Sequence, residues 1–158
     1  MVNEIQNAYA PLLTIYHLPL TIIQHMSKKI FIIEDDANVL YALQAKFRVD
    51  GYEVETENDI LSIDSIFDKI KAFGADFIVL DLILPRIDGF TLLKALKEDQ
   101  AISRIPICIF TNMSDEDSKA IGLRLGAQYF FVKNNFIIDE FVSKVKKIIE
   151  NNDKSLRS

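Results

Sequence analysis

With 158 residues, 49% of them apolar and 26% charged, the chain can bury one substantial core. Its formal net charge of -5 comes with no basic cluster, which argues against nucleic-acid binding through grouped lysines and arginines. One cysteine, Cys108, excludes an internal disulfide, and there is no GxxxxGK or GxGxxG nucleotide cradle.

Residues 5 to 27 carry no Asp, Glu, Lys or Arg. A signal peptide needs a basic start, and the only early charge is Glu4. A membrane span needs about 20 mostly apolar residues, but Pro11, His17, Pro19 and Gln24 interrupt this stretch. Ile5, Tyr9, Leu12, Leu13 and Tyr16 can share one face of a short docking helix. Alternatively Met26, followed by SKKIFIIEDD, is a natural domain start, and the residues before it are a mis-set translation start or a disordered arm. Residues 1–27 are therefore set apart as an N-terminal extension.

From residue 28 onward strands and helices alternate. Ile30 to Ile33 is an apolar run that reads as a buried strand and ends in Glu34, Asp35 and Asp36. Val39, Leu40, Leu43 and Phe47 give helical spacing over 37–49, closed by Gly51. Asp36 is placed as the cap of that helix rather than as a ligand. Tyr52 to Thr56 reads as strand two. Helix two is expected over 59–72, ended by Gly74. Phe77 to Leu80 is strand three, followed by Asp81 and by the turn residues Asp88 and Gly89. Helix three is expected over 89–99. Pro106 opens strand four at Ile107 to Phe110, and helix four spans about 115–125. Tyr129 to Val132 is strand five. Helix five covers about 137–150, leaving residues 152–158 as a polar, frayed tail.

Such alternation implies an α/β fold, a doubly wound parallel sheet with helices on both faces. The order 2-1-3-4-5, flavodoxin-like, puts the topological switch point between strands one and three, the two that end in carboxylates. The loops after strands one, three, four and five then bring Glu34, Asp35, Asp81, Thr111 and Lys133 to one edge. Carboxylates crowded there repel one another unless a cation sits among them, and hard oxygen ligands suit Mg²⁺. A hydroxyl and an ammonium opposite would serve the oxygens of a phosphoryl group, and an aspartate can accept such a group covalently.

IIEDD at strand one, DLILPRIDG after strand three, Thr111 closing strand four and GAQYFFVK around strand five stand in order. Thr111 follows Asp81 by 30 residues and Lys133 follows it by 52. In these features the chain resembles the receiver domain of bacterial response regulators in two-component signalling, over residues 28–151. The resemblance implies that Asp81 accepts a phosphoryl group from a histidine kinase or phosphotransfer protein. It implies direct Mg²⁺ ligation by Asp35, Asp81 and the Ile83 backbone carbonyl, with Glu34 acting through water. Thr111 and Lys133 would bind the phosphate. Phe130 matches the family's switch aromatic, reshaping a surface on helix four, strand five and helix five that contacts a downstream protein or a second copy.

One departure is Asn134, where the family usually has a proline after a cis bond. A non-proline cis bond costs about 3 kcal/mol, so this loop is either trans and differently shaped, or strained. Ile83 and Met113, at the positions that tune hydrolysis in the family, cannot orient a water, which implies slow self-dephosphorylation. The expected protein is a stand-alone cytoplasmic switch, not an enzyme in the ordinary sense. The alternatives are a pseudo-receiver that is never phosphorylated, or a Mg²⁺-dependent phosphohydrolase. The latter usually needs a second acid two positions after the nucleophile, where this chain has Ile83.

Overall fold

The computed structural model describes residues 27–155. The alternatives raised for residues 1–25 lie outside the described residues. The elements are β1 (Lys29–Ile33), α1 (Ala37–Val49), β2 (Glu53–Glu57), α2 (Ile63–Phe73), β3 (Phe77–Leu80), α3 (Gly89–Glu98), β4 (Ile107–Thr111), α4 (Glu116–Arg124), β5 (Tyr129–Val132) and α5 (Ile138–Ser155). A single turn of 3-10 helix, Lys133–Asn135, joins β5 to α5.

All strand pairs are parallel, in the order β2-β1-β3-β4-β5. The order reverses at β1 and β3, so their carboxyl ends frame the switch-point crevice. Alternate strand residues point to opposite faces, and the core divides accordingly. Ile30, Ile32, Val79, Cys108 and Phe110 face α1 and α5. Phe31, Ile33, Ile78, Leu80, Ile107 and Ile109 face α2 and α3. β3 and β4 are buried along their whole length, as expected of inner strands covered on both sides. Phe110 stacks on Phe141 with ring centroids 3.8 Å apart, fixing α5 to the middle of the sheet. Among the described residues no helix is long and apolar enough to cross a membrane.

Several boundaries differ from expectation by a residue or more. Helix α2 begins at Ile63 rather than at 59, because Ser62 is its cap and accepts the Ser65 N–H at 3.1 Å. Ile60 is buried in the preceding loop. β2 runs one residue further along the chain, through Glu57. The expected tail is corrected most. Helix α5 continues to Ser155, and Asp153 pairs with Lys28 at 2.9 Å, holding the extra turn against the start of β1.

Candidate functional site

Four strand ends supply the site. β1 delivers Glu34 and Asp35 beyond Ile33, and Asp36 then caps α1, accepting the N–H groups of Asn38 at 2.9 Å and Val39 at 3.3 Å. That places Asp36 on the helix, not in the crevice. β3 ends one residue before Asp81, whose own N–H donates to the Ile33 carbonyl at 2.9 Å. The ladder between β1 and β3 therefore reaches as far as the aspartate and fixes its backbone. β4 ends in Thr111, fully buried, and β5 leads straight into Lys133.

Glu34 is 2% exposed and Asp81 4% exposed. Lys133 lies between them, its ammonium 2.7 Å from Glu34 Oε2 and 2.6 Å from Asp81 Oδ2. The remaining carboxylate oxygens are held by backbone. Asp36 N–H donates to Glu34 Oε1 at 3.1 Å, and Ile83 N–H donates to Asp81 Oδ1 at 3.1 Å. Asp35 is exposed at the mouth. One carboxylate oxygen from each of Glu34, Asp35 and Asp81 can be chosen so that all three lie within 4.8 Å of one another.

Burial pushes the Glu34 carboxyl up to about 7, against the pull of the Lys133 hydrogen bond and with the Asp81 charge adding to the rise. Burial works to lower Lys133, but its bonds to Asp81 and Glu34 outweigh that, so the ammonium is raised above its ordinary value. The donor set fits a small hard cation. Three carboxylates carry more negative charge than one ammonium neutralises, and an oxygen-only cluster open on one side suits Mg²⁺ with water completing its shell.

The expected residues Glu34, Asp35, Asp81 and Lys133 thus meet in one crevice. Thr111 ends the strand next to β3, with Leu80 in register with Ile109 two residues before it. Its hydroxyl oxygen accepts the Met113 N–H at 3.4 Å. Phe130 is half-buried on the sheet face it shares with Ile109 and Thr111. The loop at Asn134 is trans, since the described residues contain no cis peptide bond. A 3-10 turn, with Phe136 N–H bonded to the Lys133 carbonyl at 3.1 Å, still brings Lys133 to Asp81.

Two features go beyond the sequence reading. The strand order places Glu34 and Lys133 at one edge, but the direct pair between them is seen only in the structure. Glu57 is a further buried acid at this edge, at the end of β2. Lys69 of α2 pairs with it and Asp59 N–H donates to it at 3.1 Å, so it is already neutralised.

A family model described as the response regulator receiver domain matches residues 30–146. The chain belongs to this family. The receiver is 31% identical over 128 residues to the alkaline phosphatase synthesis transcriptional regulatory protein PhoP of Bacillus subtilis (strain 168), covering 81% of this chain and 51% of PhoP. It is 34% identical over 121 residues to the response regulator ArlR of Staphylococcus aureus (strain Mu50 / ATCC 700699), covering 77% of this chain and 52% of ArlR. The chain spans about half the length of the curated relatives it matches. Among solved structures, the receiver domain of Francisella response regulator 1452 superposes with a TM-score of 0.68 at 26% identity, over 80% of this chain and 99% of that one. Fold and family therefore make this a receiver domain of a two-component response regulator.

Proposed function

We propose that this receiver is a working phosphoacceptor switch, with Asp81 as the residue modified. The observation that carries the reading is the buried Asp81 carboxylate, gripped at one oxygen by Lys133 and at the other by the Ile83 N–H, in a crevice that holds two more carboxylates. One oxygen of Asp81 attacks the phosphorus of a phosphohistidine on a kinase or phosphotransfer partner. The O–P bond forms as the P–N bond breaks, and the imidazole leaves with the electron pair and takes up a proton. Lys133 then pairs with a phosphoryl oxygen, and Thr111 turns its hydroxyl to another. Asp35, Asp81 and the Ile83 carbonyl would hold Mg²⁺ directly, with Glu34 acting through water. When bound, the ion neutralises the charge that gathers on the phosphoryl oxygens.

Phosphate binding by Thr111 would free space beside it on the face it shares with Phe130. We assign the readout to inward turning of Phe130 and a reshaped surface on α4, β5 and α5, a small two-state element biased by local charge. Within residues 28–151 the output is contact with another protein or a second copy. Residues 1–27 are read as an extension to this unit. No role in binding nucleic acid is assigned, because the receiver has no basic cluster. We place the domain in the cytoplasm, as a receiver of a two-component response regulator.

The test is titration with beryllium fluoride, a phosphoryl mimic, in the presence of Mg²⁺ and followed by NMR. A working switch gives saturable, Asp81-dependent shifts at Thr111, Phe130 and Lys133. A pseudo-receiver gives none, and that result would remove the proposal.

A further inference from the structure

The glycines of this chain fall into two physical classes. Gly74 caps α2 in the left-handed region at φ +71°, and a Cβ there would meet nothing within 4 Å. It is needed for its backbone angle alone. Gly89 is the reverse case. It opens α3, is buried, and has no positive φ, so an alanine would suit its backbone. Yet a Cβ at Gly89 would fall 2.5 Å from the Leu82 carbonyl oxygen and 2.8 Å from its carbon, and closer still to the Leu82 Cα. These are backbone atoms with no rotamer by which to step aside. Leu82 is the residue between Asp81 and Ile83, and its side chain is buried in the core beneath them.

We propose that Gly89 is a positioning residue: the bare first turn of α3 seats the Leu82 peptide, and so sets where the Asp81 carboxylate and the Ile83 N–H and carbonyl stand. The inference rests on the metal and phosphoacceptor reading above for its functional consequence, but its geometry does not. A methyl at Gly89 must push the Leu82 backbone outward to reach an ordinary contact distance. Neighbouring Cα atoms are joined at 3.8 Å, so the shift passes directly to Asp81 or Ile83. Sites of this kind tolerate displacements of only about 0.5 Å. Asp88 holds the same turn in place, accepting the Thr91 N–H at 2.8 Å and its hydroxyl at 2.7 Å.

The experiment compares Gly89→Ala with Gly74→Ala in the full chain. Two quantities are read: the Mg²⁺ dissociation constant by calorimetry, and hydrogen exchange of the Ile83 amide in metal-free protein. Gly89→Ala weakens Mg²⁺ binding about 10- to 100-fold, the usual cost of disturbing what supports a ligand, and speeds exchange at Ile83 as its bond to Asp81 opens. Gly74→Ala lowers the melting temperature and changes neither. If Gly89→Ala binds Mg²⁺ and protects Ile83 as the wild type does, or if both variants weaken binding equally, the proposal is overturned. Should Gly89→Ala fail to fold, Asp88→Ala and Asp88→Ser decide. Loss of Ile83 protection in the alanine variant, restored by the serine cap, supports the proposal; full protection in both overturns it. Should the wild type show no Asp81-dependent Mg²⁺ binding, the functional reading fails, while the Ile83 amide still reports on Gly89.

Discussion

Replacing Lys133 with methionine removes the one ammonium that, among the described residues, pairs with both Glu34 and Asp81. The two carboxylates are 2% and 4% exposed, so losing the partner leaves them largely desolvated. Stripping one partner from a buried pair costs about 3–5 kcal/mol. Part of that is avoided here. The Glu34 carboxyl, already pushed up to about 7, rises further once the ammonium is gone and takes a proton instead. Asp81 keeps its Ile83 N–H and must bear the remainder, roughly 2–3 kcal/mol. For a domain of this size that is a fall in melting temperature of about 10 °C. The assay is thermal unfolding by circular dichroism, in chelator at pH 8, for wild type and variant. Below pH 6 the gap narrows, because Glu34 is then protonated in both proteins and only Asp81 loses a charged partner. Added Mg²⁺ narrows it too, by supplying the missing positive charge. A variant that melts within about 2 °C of wild type at pH 8 would refute the idea that Lys133 holds this crevice together.

Glu34 binds its proton more tightly folded than unfolded, so its contribution to metal-free stability is present below about pH 4.5 and is lost as pH rises to about 7; Glu34→Gln flattens that slope in urea unfolding series, and an unchanged slope refutes the assignment. Asp36→Ala costs about 1 kcal/mol as a lost helix cap and leaves Mg²⁺ affinity intact. Loss of Mg²⁺ binding in that variant would make Asp36 a ligand after all. Ile83, 52% exposed beside Asp81, has no group to orient water, so the expected outcome is slow decay of a phosphoryl group placed on Asp81. Ile83→Asn speeds decay of a radiolabelled phosphoryl group by about ten-fold, well short of a full general base, and equal rates would show that access at this position does not limit hydrolysis.

The strand and helix order was legible because inner parallel strands must be continuous apolar runs, as FIVL of β3 and ICIF of β4 are. The switch point followed from that order, and with it the meeting of Glu34, Asp35 and Asp81. Boundaries set by single polar contacts were not legible. Ser62 as the α2 cap and the Lys28–Asp153 pair that prolongs α5 depend on which side chains meet, and neither leaves a periodic trace. Asn134 left two alternatives open, a trans loop of different shape or a strained one. The structure takes the first, and a trans 3-10 turn brings Lys133 to Asp81. The sequence pattern also read Asp88-Gly89 only as a turn, because close approach of two backbones is invisible without coordinates.

The most direct test of the account is to incubate the protein with acetyl phosphate and Mg²⁺ and to map the modified residue by peptide mass spectrometry, alongside Asp81→Asn. One phosphoryl group on Asp81, lost in the variant and lost when the metal is chelated, is the predicted result. A wild-type protein that stays unmodified while Mg²⁺ is bound, or one modified at another residue, would contradict it.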